Sequence, residues 1–251
     1  MIGTLSEQIP PHNGCAGVLT LLPPLAPVVG ASPPRIGDSP RHVGRGVPVG
    51  WTMSPRMTER RARMREVGAR LFARLGVGGA AILDVAREAS VPVSPAAHGY
   101  RRRQDLVFDI LHAYLDALHE YVGAADDAHQ DGAAEDRLIA VVVALLDGIH
   151  DHAEAHQVML TSFPTLPEAQ RDSLRYVIRT LAYRLGGPLE AVVPSLSGRR
   201  EIQAPLVHSL LGMAGHAPSW LKPNGPLSRA AYGALIARAM VAAARETSGD
   251  G

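Results

Sequence analysis

Cysteine, aromatic residues and long apolar runs are all scarce in this chain of 251 residues. The single cysteine, Cys15, excludes a disulfide framework and a multi-cysteine metal site, and it is typical of a reducing compartment. No apolar run approaches the roughly 20 residues of a membrane-spanning helix, so we expect no membrane partner and a cytoplasmic protein. Aromatic residues make up only 4%, whereas Ala, Leu, Val and Arg abound, which favours helices over strands.

Charge is distributed unevenly, although the net charge is only +1. Residues 57–105 hold ten arginines and five acidic residues, whereas residues 106–251 hold eleven basic and seventeen acidic residues. A basic module that binds a polyanion, joined to a domain with another task, would produce this pattern. A chance distribution of solvated helix faces would produce it too.

Periodicity divides the chain into unlike segments. Residues 1–57 are rich in proline and glycine, so we predict a disordered extension, or a natural start at Met53 or Met57. From there on, apolar residues recur at helical spacing and no strand-like alternation appears, which predicts an all-α fold. Helices are expected from the N-cap Thr58 to the stop at Gly76, and over 82–89, 104–124, 137–156, 168–185, 198–214 (with a kink or boundary at Pro205) and 227–244.

Two short helices at this spacing, the first ending in AREASV, predict a helix-turn-helix, whose second helix enters the DNA major groove. The run ARLFARLGVGGAAILDVAREASVPVSPAAHGYRRRQDLVFDIL, residues 69–111, resembles the DNA-binding domain of the TetR family of bacterial transcriptional regulators. The family pattern is matched without gaps by Leu71, Phe72, Gly76, Val85, Ala86, Ala89, Val91 and Leu106, with Tyr100 in place of a Phe and Arg103 in place of a Lys. We expect a small core for the module, formed by Leu71, Phe72, Leu83, Val85, Ala86, Val91, Tyr100 and Leu106.

The resemblance implies a domain organisation and partners. Residues 58–118 would form an N-terminal three-helix DNA-binding domain, residues 119–246 a C-terminal helical effector-binding and dimerisation domain, and residues 247–251 a tail. Such proteins bind near-palindromic double-stranded operator DNA as homodimers. The dimer interface would use the last two helices, through Leu206, Leu210, Met213, Leu235, Ile236 and Met240.

The recognition helix departs from the family pattern, because Pro92, Val93, Ser94 and Ala97 replace a Ser, a Lys, a Gly and a Tyr. Ser94 followed by Pro95 is a strong N-cap pair, so we predict that this helix starts at Pro95, about two residues late. Ala96, Ala97 and His98 would remain for base edges, and six arginines for phosphates. The candidate DNA-binding residues are Arg60, Arg61, Arg63, Ser94, Ala96, Ala97, His98, Tyr100, Arg101, Arg102 and Arg103.

The segment Leu210 to Ala243 is similar to one found in TetR-type regulators of lipid and steroid breakdown, whose ligands include acyl-CoA esters. This similarity implies a small hydrophobic effector, of which an acyl-CoA-like ligand is one example. Candidate pocket residues are His152, Met159, Phe163, Tyr176, Tyr183 and His208. His150, His152 and His156 have a spacing that could bind a metal, but polar residues at a helix end are the commoner case, so we expect no metal and no cofactor.

No nucleophile–base pair or paired carboxylates stand out, so we expect no enzyme activity. The sequence favours a ligand-responsive transcriptional repressor. The alternative is a helical ligand-binding or interaction protein of TetR descent in which sequence-specific DNA binding is weakened or lost.

Overall fold

The computed structural model of the protein describes residues 54–94, 98–222 and 224–249, and throughout these residues the regular structure is helical. The predicted all-α fold is therefore confirmed. The α-helices are α1 Pro55–Leu75, α2 Ile82–Glu88, α3 Arg103–Ala128, α4 Ala134–Asp151, α5 Ala153–Ser162, α6 Glu168–Val192, α7 Arg200–His216 and α8 Arg229–Ser248. Most of the predicted extension and the predicted helix start at Pro95 lie outside the described residues.

The first helix begins earlier than its sequence suggested. Ser54, not Thr58, is the N-cap: its hydroxyl accepts a hydrogen bond from the Met57 amide at 3.4 Å, and Pro55 follows in the first helical turn. This Ser-Pro pair is a strong helix start because proline loses no intrahelical hydrogen bond there. The helix ends before Gly76 as predicted, and Gly76 has φ +73°, which glycine adopts at little cost.

The segment GIHDHAEAH does not continue one helix, as its pattern suggested. The backbone breaks at His152 (φ −114°, ψ 36°), so α4 ends at Asp151 and α5 starts at Ala153. After this break α5 packs against α1 and α3, whereas α4 packs against α3, α6 and α8. The break therefore brings the C-terminal domain into direct contact with the first helix of the N-terminal module.

Helix α3 connects the two parts of the chain. Its 26 residues extend over about 39 Å, and it packs against α1 at one end and against α4 and α6 along its length. Its buried side includes Leu106, Leu111, Leu115, Leu118 and Val122. A movement of α3 would thus displace its contacts in both the N-terminal module and the C-terminal helices.

The outer helices complete the C-terminal part. Helix α8 packs on α4 and α7, and α7 also packs on α6. Pro205 lies inside α7 rather than at a boundary. In the described part of the chain, no helix is long and apolar enough to cross a membrane.

Candidate DNA interface and effector cavity

Two backbone hydrogen bonds close the turn that follows α2. The Ala89 amide donates to the Val85 carbonyl at 2.8 Å, and the Val91 amide donates to the Ala86 carbonyl at 2.9 Å. Between them Ser90 has φ +53°, a left-handed conformation that is strained for a residue with a Cβ. The small core of the module forms as predicted, except that the prediction for Leu83 is wrong: its side chain is 38% exposed because it lies on the outer side of α2.

We call residues 92–99 the recognition segment. Among its described residues, Val93 and Ser94 are not helical, and Gly99 has φ +80°. Ala96 and Ala97 lie outside the described residues, so their assignment to base contacts stays a prediction. Ser94 is exposed, at the start of the segment.

His98 does not face outward, so the prediction that it contacts a base edge is wrong for this geometry. Its side chain is 1% exposed, and its ring stacks on that of Tyr100 with 5.8 Å between centroids. Nδ1 of His98 accepts a hydrogen bond from the Tyr100 amide at 3.2 Å, and the ring also bonds the backbone of Val93. Burial lowers the pKa of His98, which keeps the ring neutral and Nδ1 able to accept.

A buried polar group, the Asp109 cluster, joins α3 to α1 and to Tyr100. It consists of Asp109, Tyr100, Arg61 and Arg65. The Asp109 carboxylate accepts from the Tyr100 hydroxyl, from Arg61 Nη2 at 3.0 Å and from Arg65 Nη1 at 3.3 Å. Burial by itself would raise the pKa of Asp109, but the Tyr100 hydrogen bond and the two guanidinium charges lower it below its usual value.

The six arginines predicted to contact phosphate fall into two groups. Two of them have internal roles: Arg61 lies over the Tyr100 ring at 4.9 Å and pairs with Asp109, and Arg103 donates to the carbonyls of Val77 and Ala80. The other four, which we call the outer arginines, have no acidic partner among the described residues: Arg60, Arg63, Arg101 and Arg102.

The outer arginines flank one contact between α1 and the segment before α3. Arg60 and Arg63 precede and follow Arg61 along α1, and Arg101 and Arg102 follow Tyr100, over whose ring Arg61 lies. Arg101 and Arg102 are exposed, and the backbone amide of Arg102 donates to the Asp105 carboxylate at 3.0 Å. Sequence reasoning missed the pairing of Arg61 with Asp109, 48 residues later, and the bonds of Arg103 to two carbonyls.

A cavity of about 80 Å³ lies among the C-terminal helices. Nearly all of its lining is apolar, and no charged group of Asp, Glu, Lys or Arg lines it. The lining residues come from α3, α4, α5, α6 and α7, and they include Leu115, Leu145, Met159, Ile178, Leu181 and Leu211. The polar residues of the wall are Tyr114 and His156, and these bond each other at 2.8 Å.

Only one of the six predicted pocket residues, Met159, lines this cavity. Phe163 lies in the protein core, and Tyr183 is 49% exposed because it lies on the outer side of α6. His152 occupies the break between helices, and Tyr176 and His208 lie elsewhere on α6 and α7. These five residues do not line this cavity, and their assignment to an effector pocket stays a prediction. Ordinary core leucines and isoleucines form most of the cavity wall, and their sequence pattern carries no distinguishing signal.

The outer side of α7 and α8 is partly apolar. On α8 an exposed stripe at helical spacing comprises Ala231, Leu235, Ala239 and Ala242, and Leu235 is 56% exposed. Of the residues predicted to form a dimer interface, Leu206 and Met213 are half-buried. Leu210, Ile236 and Met240 are buried within the protomer itself, so their assignment to an interface is wrong: they are the inward side of the same helices.

Comparison with known proteins agrees with this architecture. The family model of the tetracycline repressor-like C-terminal domain matches residues 131–244. The chain is similar to a TetR-family transcriptional regulator from Bordetella parapertussis 12822, with 24% identity, a TM-score of 0.62 and coverage of 72% of this chain and 93% of that one. Residues 131–244 are therefore a tetracycline repressor-like C-terminal domain. This match and the similar solved structure are of transcriptional regulators, the class of protein that the sequence predicted.

Two further solved structures are similar to this chain. The regulator PfmR from Thermus thermophilus has 18% identity and a TM-score of 0.60, with coverage of 72% of this chain and 97% of that one. AibR, solved in complex with isovaleryl coenzyme A and operator DNA, has 21% identity and a TM-score of 0.56, with coverage of 72% and 96%. No curated protein matches the chain significantly by sequence.

Proposed function

We propose that this protein is a TetR-type, ligand-responsive repressor that binds a near-palindromic operator as a homodimer. The observation that carries DNA binding is that the four outer arginines flank the contact between Arg61 and Tyr100, beside the recognition segment. Phosphate contacts from such arginines supply affinity and fix the orientation of the module on the duplex. The recognition segment, in which Val93 and Ser94 are not helical and His98 is buried, would then read few base edges.

The exposed apolar stripe of α8 supports dimerisation. Leu235 projects from α8 between small alanines, and a second copy of the same helix could pack closely over them. A two-fold dimer presents two equal recognition segments, so its operator has two equivalent half-sites.

The apolar cavity supports a small hydrophobic effector. Isovaleryl coenzyme A is the ligand named for the similar AibR, and a short acyl group has the apolar character that the cavity wall matches. A volume of about 80 Å³ accepts only a short apolar group unless the helices move apart, and no cationic residue in the wall would bind phosphates. We therefore place the acyl part in the cavity and any charged part outside it.

The packing offers a route from the cavity to the DNA module. His156, Met159 and Leu160 of the wall belong to α5, which packs against α1, and Tyr114 belongs to α3. An effector that forces α3, α5 and α7 apart would change the orientation of α1 and α3 in each protomer. The two DNA-binding modules of the dimer would then no longer match the half-site spacing, which is a population shift between two states.

The experiment begins with selection of bound sequences from a random DNA pool, followed by affinity measurements on the selected duplex and on random duplex as a function of salt. We expect the double variant Arg101→Ala/Arg102→Ala to reduce the magnitude of the slope of log K against log salt by roughly 3.6, since the dimer loses four phosphate contacts and each removes about 0.9. The matched control is Arg179→Ala/Arg245→Ala, which removes two exposed arginines from α6 and α8 and should leave the slope unchanged.

Failure to select any sequence would favour the alternative, a TetR-type protein that has lost specific DNA binding. Equal slopes in the two double variants would show that the outer arginines Arg101 and Arg102 do not contact the DNA phosphates.

A further inference from the structure

The Tyr100 hydroxyl has no evident role in neutralising charge. The Asp109 carboxylate already has two cationic partners, Arg61 and Arg65, so the buried charge is compensated without the phenol. Tyr100 is itself buried, and a phenylalanine ring would fill the same space. Burial of a hydroxyl costs free energy unless it forms hydrogen bonds. Since this hydroxyl is needed neither for packing nor for charge, its role lies in the groups that its hydrogen bonds connect.

The hydroxyl connects the recognition segment to the rest of the module. At the backbone of Tyr100, the amide donates to His98 Nδ1, and His98 in turn bonds the backbone of Val93. At the other end of the same residue, the phenol donates to Asp109 of α3 and accepts from Arg61 Nε of α1 at 3.3 Å. Tyr100 therefore connects Val93 and His98 to α1 and α3, through a hydrogen bond at its backbone amide and two at its hydroxyl.

The recognition segment needs such external support. Among the described residues, Val93 and Ser94 are not helical and Gly99 is left-handed, so no helical hydrogen bonds join the segment to α2 before it or to α3 after it. Its orientation must therefore be determined by contacts outside the segment. His98 and Tyr100 are the buried polar side chains at its C-terminal end.

We propose that Asp109 is a positioning residue for DNA recognition, which fixes the recognition segment relative to α1 and α3 through the Tyr100 hydroxyl. This inference rests on the proposed DNA-binding function. Asp109 itself lies between two helices and touches no base. It acts through Tyr100, so its effect appears in sequence discrimination rather than in phosphate affinity.

The test uses Tyr100→Phe, which keeps the ring and removes only the hydroxyl. Tyr121→Phe is the matched control, because the Tyr121 phenol also donates to a carboxylate, Asp151 at 2.7 Å, but in the C-terminal helices. We expect Tyr100→Phe to weaken binding to the selected duplex by about tenfold, as for one charge-assisted hydrogen bond. Its affinity for random duplex and its salt slope should stay unchanged, since the outer arginines are intact. Tyr121→Phe should change neither the affinity for the selected duplex nor the affinity for random duplex.

A second measurement does not depend on DNA. Hydrogen exchange of the backbone amides should become faster at residues 91–100 in Tyr100→Phe, and remain unchanged around residues 147–151. If exchange becomes faster in Tyr100→Phe but the natural protein selects no DNA sequence, the positioning role is supported and the proposed function is overturned. Unchanged exchange and unchanged discrimination in Tyr100→Phe would overturn the inference, as would an equal loss of discrimination in Tyr121→Phe.

Discussion

The Tyr114 hydroxyl of α3 donates a hydrogen bond to Nδ1 of His156 on α5 at 2.8 Å. Nε2 of the same ring donates to the Gly215 carbonyl of α7, also at 2.8 Å. Because a carbonyl can only accept, Nε2 must carry the proton. Burial lowers the pKa of His156 and favours the neutral ring, which leaves Nδ1 as the acceptor for the Tyr114 hydroxyl. Three helices of the cavity wall meet at this one imidazole.

A loss of stability in mild acid follows from this neutral ring. Below the unfolded-state pKa near 6.5, the unfolded chain takes up a proton that folded His156 does not, so the free energy of unfolding falls as pH decreases from about 7 toward 5. The pKa values of His98 and His119 are lowered as well, while the pKa of His112 is raised by Asp116 and opposes the trend. A ring that stayed fully neutral in the folded state would contribute at most about 1.4 kcal/mol at pH 5.5, one pH unit below the unfolded pKa.

Urea unfolding at pH 7.5 and 5.5 measures this effect. We expect His156→Gln to be less stable than the natural protein at pH 7.5 but to lose less stability on acidification. His150→Gln is the control, because His150 is exposed. A pH dependence that is the same in His156→Gln and in the natural protein would show that His156 takes up its proton in the folded state.

Arg103 and Arg102 are neighbours whose substitutions should have opposite consequences. Arg103 donates to the Val77 and Ala80 carbonyls and ties the α1–α2 connection to the start of α3, whereas Arg102 is exposed. Arg103→Ala leaves two carbonyls without this donor and should lower the free energy of unfolding by about 1–3 kcal/mol. Arg102→Ala should change it by less than about 0.5 kcal/mol. Thermal unfolding of the two variants, measured side by side, decides the point; equal stabilities would contradict it.

The strained Ser90 offers a stabilising substitution. Its φ of +53° costs about 1 kcal/mol for a residue with a Cβ, whereas glycine adopts this conformation freely. Part of the gain is offset because glycine has more freedom in the unfolded chain. We expect Ser90→Gly to raise the free energy of unfolding by up to about 1 kcal/mol, and Ser90→Val to lower it by more than that. Destabilisation by Ser90→Gly would mean that the serine side chain makes a compensating interaction.

Much of this fold was predictable from periodicity, because helical spacing of apolar residues depends only on local sequence. The stop at Gly76 and the turn after Ala89 followed from residue types alone. The internal pairing of Arg61 could not be predicted, because its partner Asp109 lies on a helix 48 residues away and many carboxylates were equally available in the sequence. The cavity was unpredictable for a related reason: leucines that line it and leucines that fill the core obey the same pattern.

The same limitation applied to the α8 surface, where the sequence indicates an amphipathic helix but not which side faces a second copy. The structure separates the inward Ile236 and Met240 from the outward Leu235. We therefore expect Leu235→Glu to prevent dimerisation, because it would place a carboxylate within an apolar contact made twice by symmetry. Leu75→Glu is the matched control, since Leu75 is a leucine of similar exposure, 50%, at the end of α1.

Sedimentation equilibrium of the natural protein and both variants measures the mass directly. The natural protein and Leu75→Glu should have twice the mass of one chain, and Leu235→Glu the mass of one chain with its helical circular dichroism retained. A dimeric Leu235→Glu would place the interface elsewhere. A monomer that still selects a palindromic sequence would separate dimerisation in solution from assembly on DNA, because the two half-sites would then bring the protomers together.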